Sequence, residues 1–274
     1  MDHASPVREQ LPSSDPPLRI TQVWHAPASY ISEGQGPVLL LIHGLPGSTR
    51  DWRYLTPHLR GVRALRVDLP GFGASSRRDR THWSVEERVE WLVALLDALN
   101  IERVTAVGHS MGGAVAVALA ALAPSRVSRL ALLCSPGLRP HAMFERSRMP
   151  QMSAWTRYRL GRWLLTKPLR KGFVEAGFSS KISDQQLHYT VADAGALSFE
   201  DHRARVEALR VPTLVAWTED DRLIETPISE ELAEACPPGP RLRWPTGGHN
   251  PQKHRAVELA AALSAWANPA ESST

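Results

Sequence analysis

Three stretches of this chain carry side chains able to move protons and attack a carbonyl carbon. One is Gly108-His109-Ser110-Met111-Gly112, which fits G-x-S-x-G. The second is Glu219-Asp220-Asp221, three carboxylates in a row. The third is Gly247-Gly248-His249-Asn250-Pro251. A serine hydroxyl is a weak nucleophile until an imidazole takes its proton, and a carboxylate on the other ring nitrogen orients that imidazole. Ser110, one of the three acids and His249 together point to acyl transfer through a covalent intermediate. His254 is the weaker candidate for the base, because it falls on the helix expected after this loop.

Each of these groups needs an element to hold it. Val104 to Val107 is short, apolar and rich in β-branched residues, which predicts a buried strand. Ala114 to Ala123 is the best helix-forming run in the chain. Ser110 then sits on a tight strand-to-helix turn, with Gly108 and Gly112 leaving room on both sides. The start of that helix offers unpaired N–H groups to a developing anion. Val211 to Trp217 predicts the strand before the carboxylates, and Arg241 to Trp244 the strand before His249. Val38 to Ile42 is apolar throughout, the mark of a strand buried on both faces. It runs into His43-Gly44-Leu45-Pro46-Gly47, a loop of the kind that binds ligands at the carboxyl end of a parallel strand. Leu18–Trp24 and Ala28–Ser32 are expected to pair around Pro27, with further strands at Arg63–Leu69 and Arg129–Cys134. Ser84 with Glu87 makes a capping box ahead of a helical stripe to Leu99.

His43-Gly44 after one buried strand, Asp68-Leu69-Pro70-Gly71-Phe72-Gly73 after the next, and Gly108 to Gly113 after the third resemble the α/β-hydrolase superfamily. The likeness is to its serine-nucleophile, cap-containing branch, esterases and C–C hydrolases. It covers about residues 35–135 and resumes after 210. The resemblance implies an α/β fold with a mostly parallel central sheet flanked by helices. A helical cap would be inserted between the sixth and seventh strands. It implies an oxyanion hole made by the backbone N–H groups of Leu45 and Met111, since Pro46 has none to give. It places the acid four residues after the aromatic at the strand end, which favours Asp221 over the runner-up Asp220. The order Ser110, Asp221, His249 is the order for this fold. Asp68 is by the same likeness a structural residue. The H-G-x-P form also resembles epoxide hydrolases and haloalkane dehalogenases, but those use an aspartate nucleophile where this chain has Ser110. The implied chemistry needs no cofactor, and no metal-ligand spacing is visible.

The chain has 274 residues, 43% of them hydrophobic and 22% charged, which suits one large α/β domain with an insertion. A net charge of +4 is too small a bias to argue for nucleic acid. Residues 1–17 are rich in Pro and Ser and lack an apolar stretch, so a disordered tail is expected rather than a signal peptide. With no run long enough to span a membrane, a cytoplasmic location is expected. Cys134 and Cys236 read as two unpaired thiols. The expected organisation is a core of residues 18–137 and 211–270 and a cap of 138–210.

The cap is uneven in charge. Residues 138–181 hold ten Lys or Arg and two Glu, a net of +8. Met and Trp lie between them, so an apolar inner face over a roomy pocket is expected, with Met152, Trp155 and Trp163 as candidate substrate contacts. Pro150, Gly161, Pro168, Gly172 and Gly177 are expected to break the segment into short helices. The basic residues can serve a membrane surface or a solvated outer face, and the solvated face is the reading taken. The function expected is hydrolysis of an ester or related carbonyl bond in a small to medium, partly apolar molecule. The alternatives are C–C bond hydrolysis, acyl transfer or cyclisation, and ligand binding without catalysis. The sequence leaves the oligomeric state open.

Overall fold

The computed structural model describes residues 15–77, 83–175, 178 and 180–268. Of the expected N-terminal tail, residues 1–14 lie outside the described residues, as does Gly177 among the expected breaks. Asp15, by contrast, pairs with the buried guanidinium of Arg66 at 3.0 Å.

Eight strands form one sheet. They are β1 (Arg19–Val23), β2 (Ala26–Gly34), β3 (Val38–Ile42), β4 (Arg63–Val67), β5 (Val104–His109), β6 (Val127–Leu133), β7 (Thr213–Thr218) and β8 (Arg241–Trp244). Their spatial order is β1-β2-β4-β3-β5-β6-β7-β8. β2 pairs antiparallel with β1 and β4, and every other pairing is parallel. The first hairpin turns at Trp24-His25, both at positive φ, and not around Pro27. Two consecutive left-handed residues match the strand twist, which sets the turn there. Pro27 lies within β2 opposite Gln22, beyond the stretch paired to β4, so its missing N–H costs no bond on that side.

Helices cover both faces of the sheet. They are α1 (Val85–Ala98), α2 (Met111–Leu122), α3 (Ala142–Arg146), α4 (Met149–Thr156), α5 (Arg159–Glu175), α6 (Asp184–Ala194), α7 (Phe199–Ala208), α8 (Thr226–Ala235), α9 (Pro251–His254) and α10 (Ala256–Ala267). The period of two along β3 divides its side chains between the faces. Leu40 and Ile42 join α1, α2 and α8 in one apolar cluster, while Leu39 and Leu41 pack with Trp52, Leu55 and α10 in the other. Ser84 and Glu87 form the reciprocal capping box at the start of α1. Both cysteines are free and buried.

Helices α3 to α7 lie between β6 and β7; α3 to α6 stand over the sheet as a cap, while α7 packs on α2 with Val206 in the main core. Leu169, Phe173, Leu187 and Val191 give the cap a small core of its own. It is tied down through Asp193 of α6, which is fully buried. Arg77 donates to both Asp193 oxygens at 2.8 and 2.9 Å, and Arg88 of α1 stands 2.7 Å from one of them. Gly161, Pro168 and Gly172 do not break the chain; all three lie inside α5. A Cβ on Gly161 would sit 2.0 Å from the carbonyl oxygen of Trp155, so that glycine lets α5 cross close over the end of α4.

Candidate active site

Ser110 links β5 to α2 with φ 51° and ψ −128°, a conformation L-residues rarely adopt. The turn is held by Ser110 N–H donating to Leu133 O at 2.9 Å and Gly113 N–H donating to Ser110 O at 2.7 Å. Gly108 and Gly112 are required by space. A Cβ on the first would meet Gly112 O at 2.4 Å, and one on the second would meet Ile42 O at 2.3 Å. The strain turns the hydroxyl out of the sheet, where the Ser110 Oγ lies 2.8 Å from His249 Nε2.

His249 sits in the loop after β8, and its Nδ1–H donates to Asp221 Oδ2 at 2.8 Å. Since a carboxylate only accepts, this bond fixes the tautomer and leaves Nε2 free to take the serine proton. The other Asp221 oxygen accepts from the N–H groups of Leu223 and Ile224 at 2.8 and 3.2 Å. Burial works against its charge, but the bond and charge of His249 with these two N–H groups hold its carboxyl below the ordinary range. Asp220 is exposed and accepts instead from Gly248 N–H at 2.7 Å, tying down the loop that carries His249. His254 lies on α9, away from these bonds.

Two further histidines, not assigned roles from sequence, support the arrangement. His109 donates from Nε2 to His249 O at 2.6 Å, and burial pushes its pKa down to about 3, so it stays neutral. His43 donates from Nδ1 to Gly44 O at 2.6 Å and accepts the Leu69 N–H on Nε2 at 3.0 Å. In a trans peptide the C=O and N–H point opposite ways. Drawing the Gly44 carbonyl toward His43 therefore turns the Leu45 N–H away from it. Gly44 is packed against the nucleophile, since a Cβ there would lie 2.9 Å from Ser110 Cβ. Met111 N–H is at the first position of α2, where helices leave donors unpaired. Among the described residues, neither N–H is used in an internal hydrogen bond. Asp68 accepts from Ser29 Oγ, Thr49 N–H and Ala74 N–H, binding the loops beneath the site.

Ser110, His249, Leu45 and Met111 open on a cavity roofed by the cap. Met149, Phe144, Phe173 and Val191 line the roof, and His141 and Thr190 are polar groups on the wall. His141 Nδ1 is buried without a hydrogen-bond partner among the described residues. The three cap residues singled out from sequence are not in this lining. Trp155 and Trp163 point to solvent, 57% and 74% exposed, and Met152 packs into the cap's own core. Composition located the apolar residues in the right segment, but helix phase decides which face they take, and Met149 and Phe173 take the inner one.

Cys134 Sγ, Asp221 and His249 bring one donor atom each within 4.8 Å of one another. Burial, and then the charge of Asp221, hold the Cys134 thiol well up and protonated. The other two groups are bonded to each other, so this trio is not set to grip a cation.

The pattern of the α/β-hydrolase fold family matches residues 37–160. The 2-hydroxy-6-oxo-2,4-heptadienoate hydrolase of Pseudomonas putida is 31% identical over 233 residues, covering 75% of this chain and 79% of that protein. Lipase 3 of a Moraxella species is 27% identical over 237 residues, covering 82% and 75%. Some matches are local, and in one the shared stretch is 28% of the relative's length. Among solved structures, a haloalkane dehalogenase from Bradyrhizobium elkani superposes with a TM-score of 0.76 at 20% identity, covering 95% of this chain and 100% of that one. That likeness is one of fold.

Proposed function

The chain belongs to the α/β-hydrolase family and is an enzyme of it, and on that premise we propose that it is a serine hydrolase of carboxylic esters or related carbonyl compounds. The observation that carries this reading is the continuous set of bonds from Ser110 through His249 to Asp221, opening on an apolar cavity. His249 takes the Ser110 proton as Oγ attacks the carbonyl carbon. Asp221 keeps the ring oriented and stabilises its charged form. The N–H groups of Leu45 and Met111 receive the oxyanion, each removal in known holes costing roughly 3–4 kcal/mol. His249 then protonates the leaving group, and water, deprotonated by the same histidine, releases the acyl group and restores Ser110. Residues 138–210 act as the cap whose inner wall selects the acyl part. Because that wall is mostly apolar, a small to medium apolar acyl group suits it.

C–C bond hydrolysis is the second reading, favoured by the 31% identity to a dienoate hydrolase. The test is a series of p-nitrophenyl esters of increasing acyl length, run on the wild type and Ser110→Ala, beside a 2-hydroxy-6-oxo-dienoate. Ester turnover that peaks at an intermediate chain length and vanishes in Ser110→Ala supports the first reading. Turnover of the dienoate with inert esters replaces it by the second.

A further inference from the structure

α5 shows an apolar stripe on the side where a surface helix should be polar. Leu160, Trp163, Leu164 and Val174 recur at spacings that place them on one face of the helix, with Lys167 and Lys171 within it. All six are exposed, Trp163 by 74% and Leu160 by 66%. The opposite side is satisfied, since Leu169 and Phe173 are buried in the cap core. Trp155, at the end of α4, and Tyr158, in the turn before α5, extend the patch. Six of the ten large exposed hydrophobic residues among those described fall between positions 155 and 174. Scattered apolar residues need no explanation, but a contiguous patch does.

The charge around the patch says what it would meet. Residues 138–181 carry a net +8. Arg157, Arg159 and Lys167 are exposed and have no acidic partner among the described residues. A second copy of the chain would bring the same positive patch against itself, because a two-fold contact pairs a surface with its own image. Tryptophan and tyrosine tips beside aliphatic side chains and unpaired Lys and Arg suit the boundary between anionic headgroups and acyl chains.

We propose that the outward face of α5, with Trp155 and Tyr158, docks the protein on an anionic lipid surface. The helix lies in the plane of the headgroups, its apolar side chains enter the acyl boundary, and Arg157, Arg159 and Lys167 face the phosphates. Phe173, on the far side of the same helix, lines the cavity, so the lipid lies against the outer side of the cavity wall.

The test is co-sedimentation of the full chain with phosphatidylcholine vesicles, with and without phosphatidylglycerol, at low and high salt, beside light scattering of the protein alone. Binding to the phosphatidylglycerol vesicles that weakens with salt is expected, because surface charges are screened over roughly 8–10 Å at physiological ionic strength. Trp163→Ser should lower the partition coefficient about ten-fold at either salt. Lys167→Glu should lower it about ten-fold at low salt and less at high salt. Both positions are exposed, so unchanged thermal unfolding shows that each variant is folded. Equal binding to neutral and anionic vesicles, or full binding by Trp163→Ser, overturns the proposal. So does a concentration-dependent dimer that Trp163→Ser dissociates while vesicles bind nothing, which assigns the face to a second copy.

Discussion

Ser110, Asp221 and His249 hang from the ends of β5, β7 and β8, three strands locked into one sheet, and their loops are laced by backbone bonds. The residues facing them across the cavity, Met149, Phe173, Thr190 and Val191, stand on cap helices that share a far smaller apolar cluster. The sheet has two large apolar clusters holding its faces, and the segment above joins the larger one through Leu197, Val206 and Leu209 and is pinned further by polar seams. One seam is Asp193 between Arg77 and Arg88. Another is His202 of α7, whose Nε2 donates to Pro136 O in the loop after β6 at 3.1 Å. The lesson is a division of labour. The sheet holds the reacting atoms, and the cap helices, with a smaller core of their own, can vary their inner wall and their outer face separately.

That division predicts a ranked set of effects. The largest belongs to the sheet side. Asp221→Asn should lower kcat by about 10⁴-fold, because it allows the wrong imidazole tautomer. Asp220→Asn should lose far less, since it weakens only the tether to Gly248. Steady-state kinetics on a chromogenic ester decides this, and equal losses would mean that the two loops share the orienting role.

Next comes the main seam. Asp193→Ala leaves two arginines buried without their carboxylate and should cost about 3–5 kcal/mol in urea unfolding. A loss under about 1 kcal/mol would show that the cap stands without this seam.

The second seam should show in pH dependence. Burial pushes His202 down to about 4 and His109 down to about 3, against roughly 6.5 in an unfolded chain. The unfolded state then takes up protons first as pH falls. The stability these histidines give is complete above roughly pH 6.5 and is lost on descent toward the folded values. Asp51 runs the other way, because burial pushes it up to about 6 and its folded form binds a proton first. His43 and His141, also pushed down by burial, act as His202 and His109 do, so the histidines outweigh this carboxyl and acid should destabilise the protein between pH 7 and 5. His202→Gln should shrink that loss by about 2 kcal/mol. An unchanged pH slope in urea unfolding would contradict the neutral, buried state of His202.

The smallest effects sit within one helix and divide its faces. Phe173→Ala should shift the preferred acyl length and change kcat/KM for long esters by about ten-fold. Trp163→Ala should leave soluble-ester kinetics within about two-fold and stability within about 0.5 kcal/mol. A shift in chain-length preference from Trp163→Ala would return that residue to the cavity.

What was legible in the sequence follows the same division. The strand–turn–helix at Ser110 and the Gly-rich loop at His43 are local patterns, because strained turns demand glycine at fixed offsets. Residues 110 and 221, far apart in the chain, each lie within hydrogen-bond reach of His249. The cap's inner lining was not legible. Which side of a helix faces a cavity depends on what it packs against, and composition carries no phase. For the same reason Gly161 and Pro168 read as breaks although α5 runs through them. Tertiary packing overrode local propensity there. Asp193 gave no signal at all, since its partners Arg77 and Arg88 are more than a hundred residues away.

On this reading Ser110 is the nucleophile, activated by His249. The most direct measurement is intact-mass and peptide-level analysis after treatment with a fluorophosphonate probe. One adduct per chain is expected, on the peptide carrying Ser110. None is expected in Ser110→Ala, and labelling should slow sharply in His249→Ala. An adduct on any other residue, or one that persists in Ser110→Ala, would contradict it.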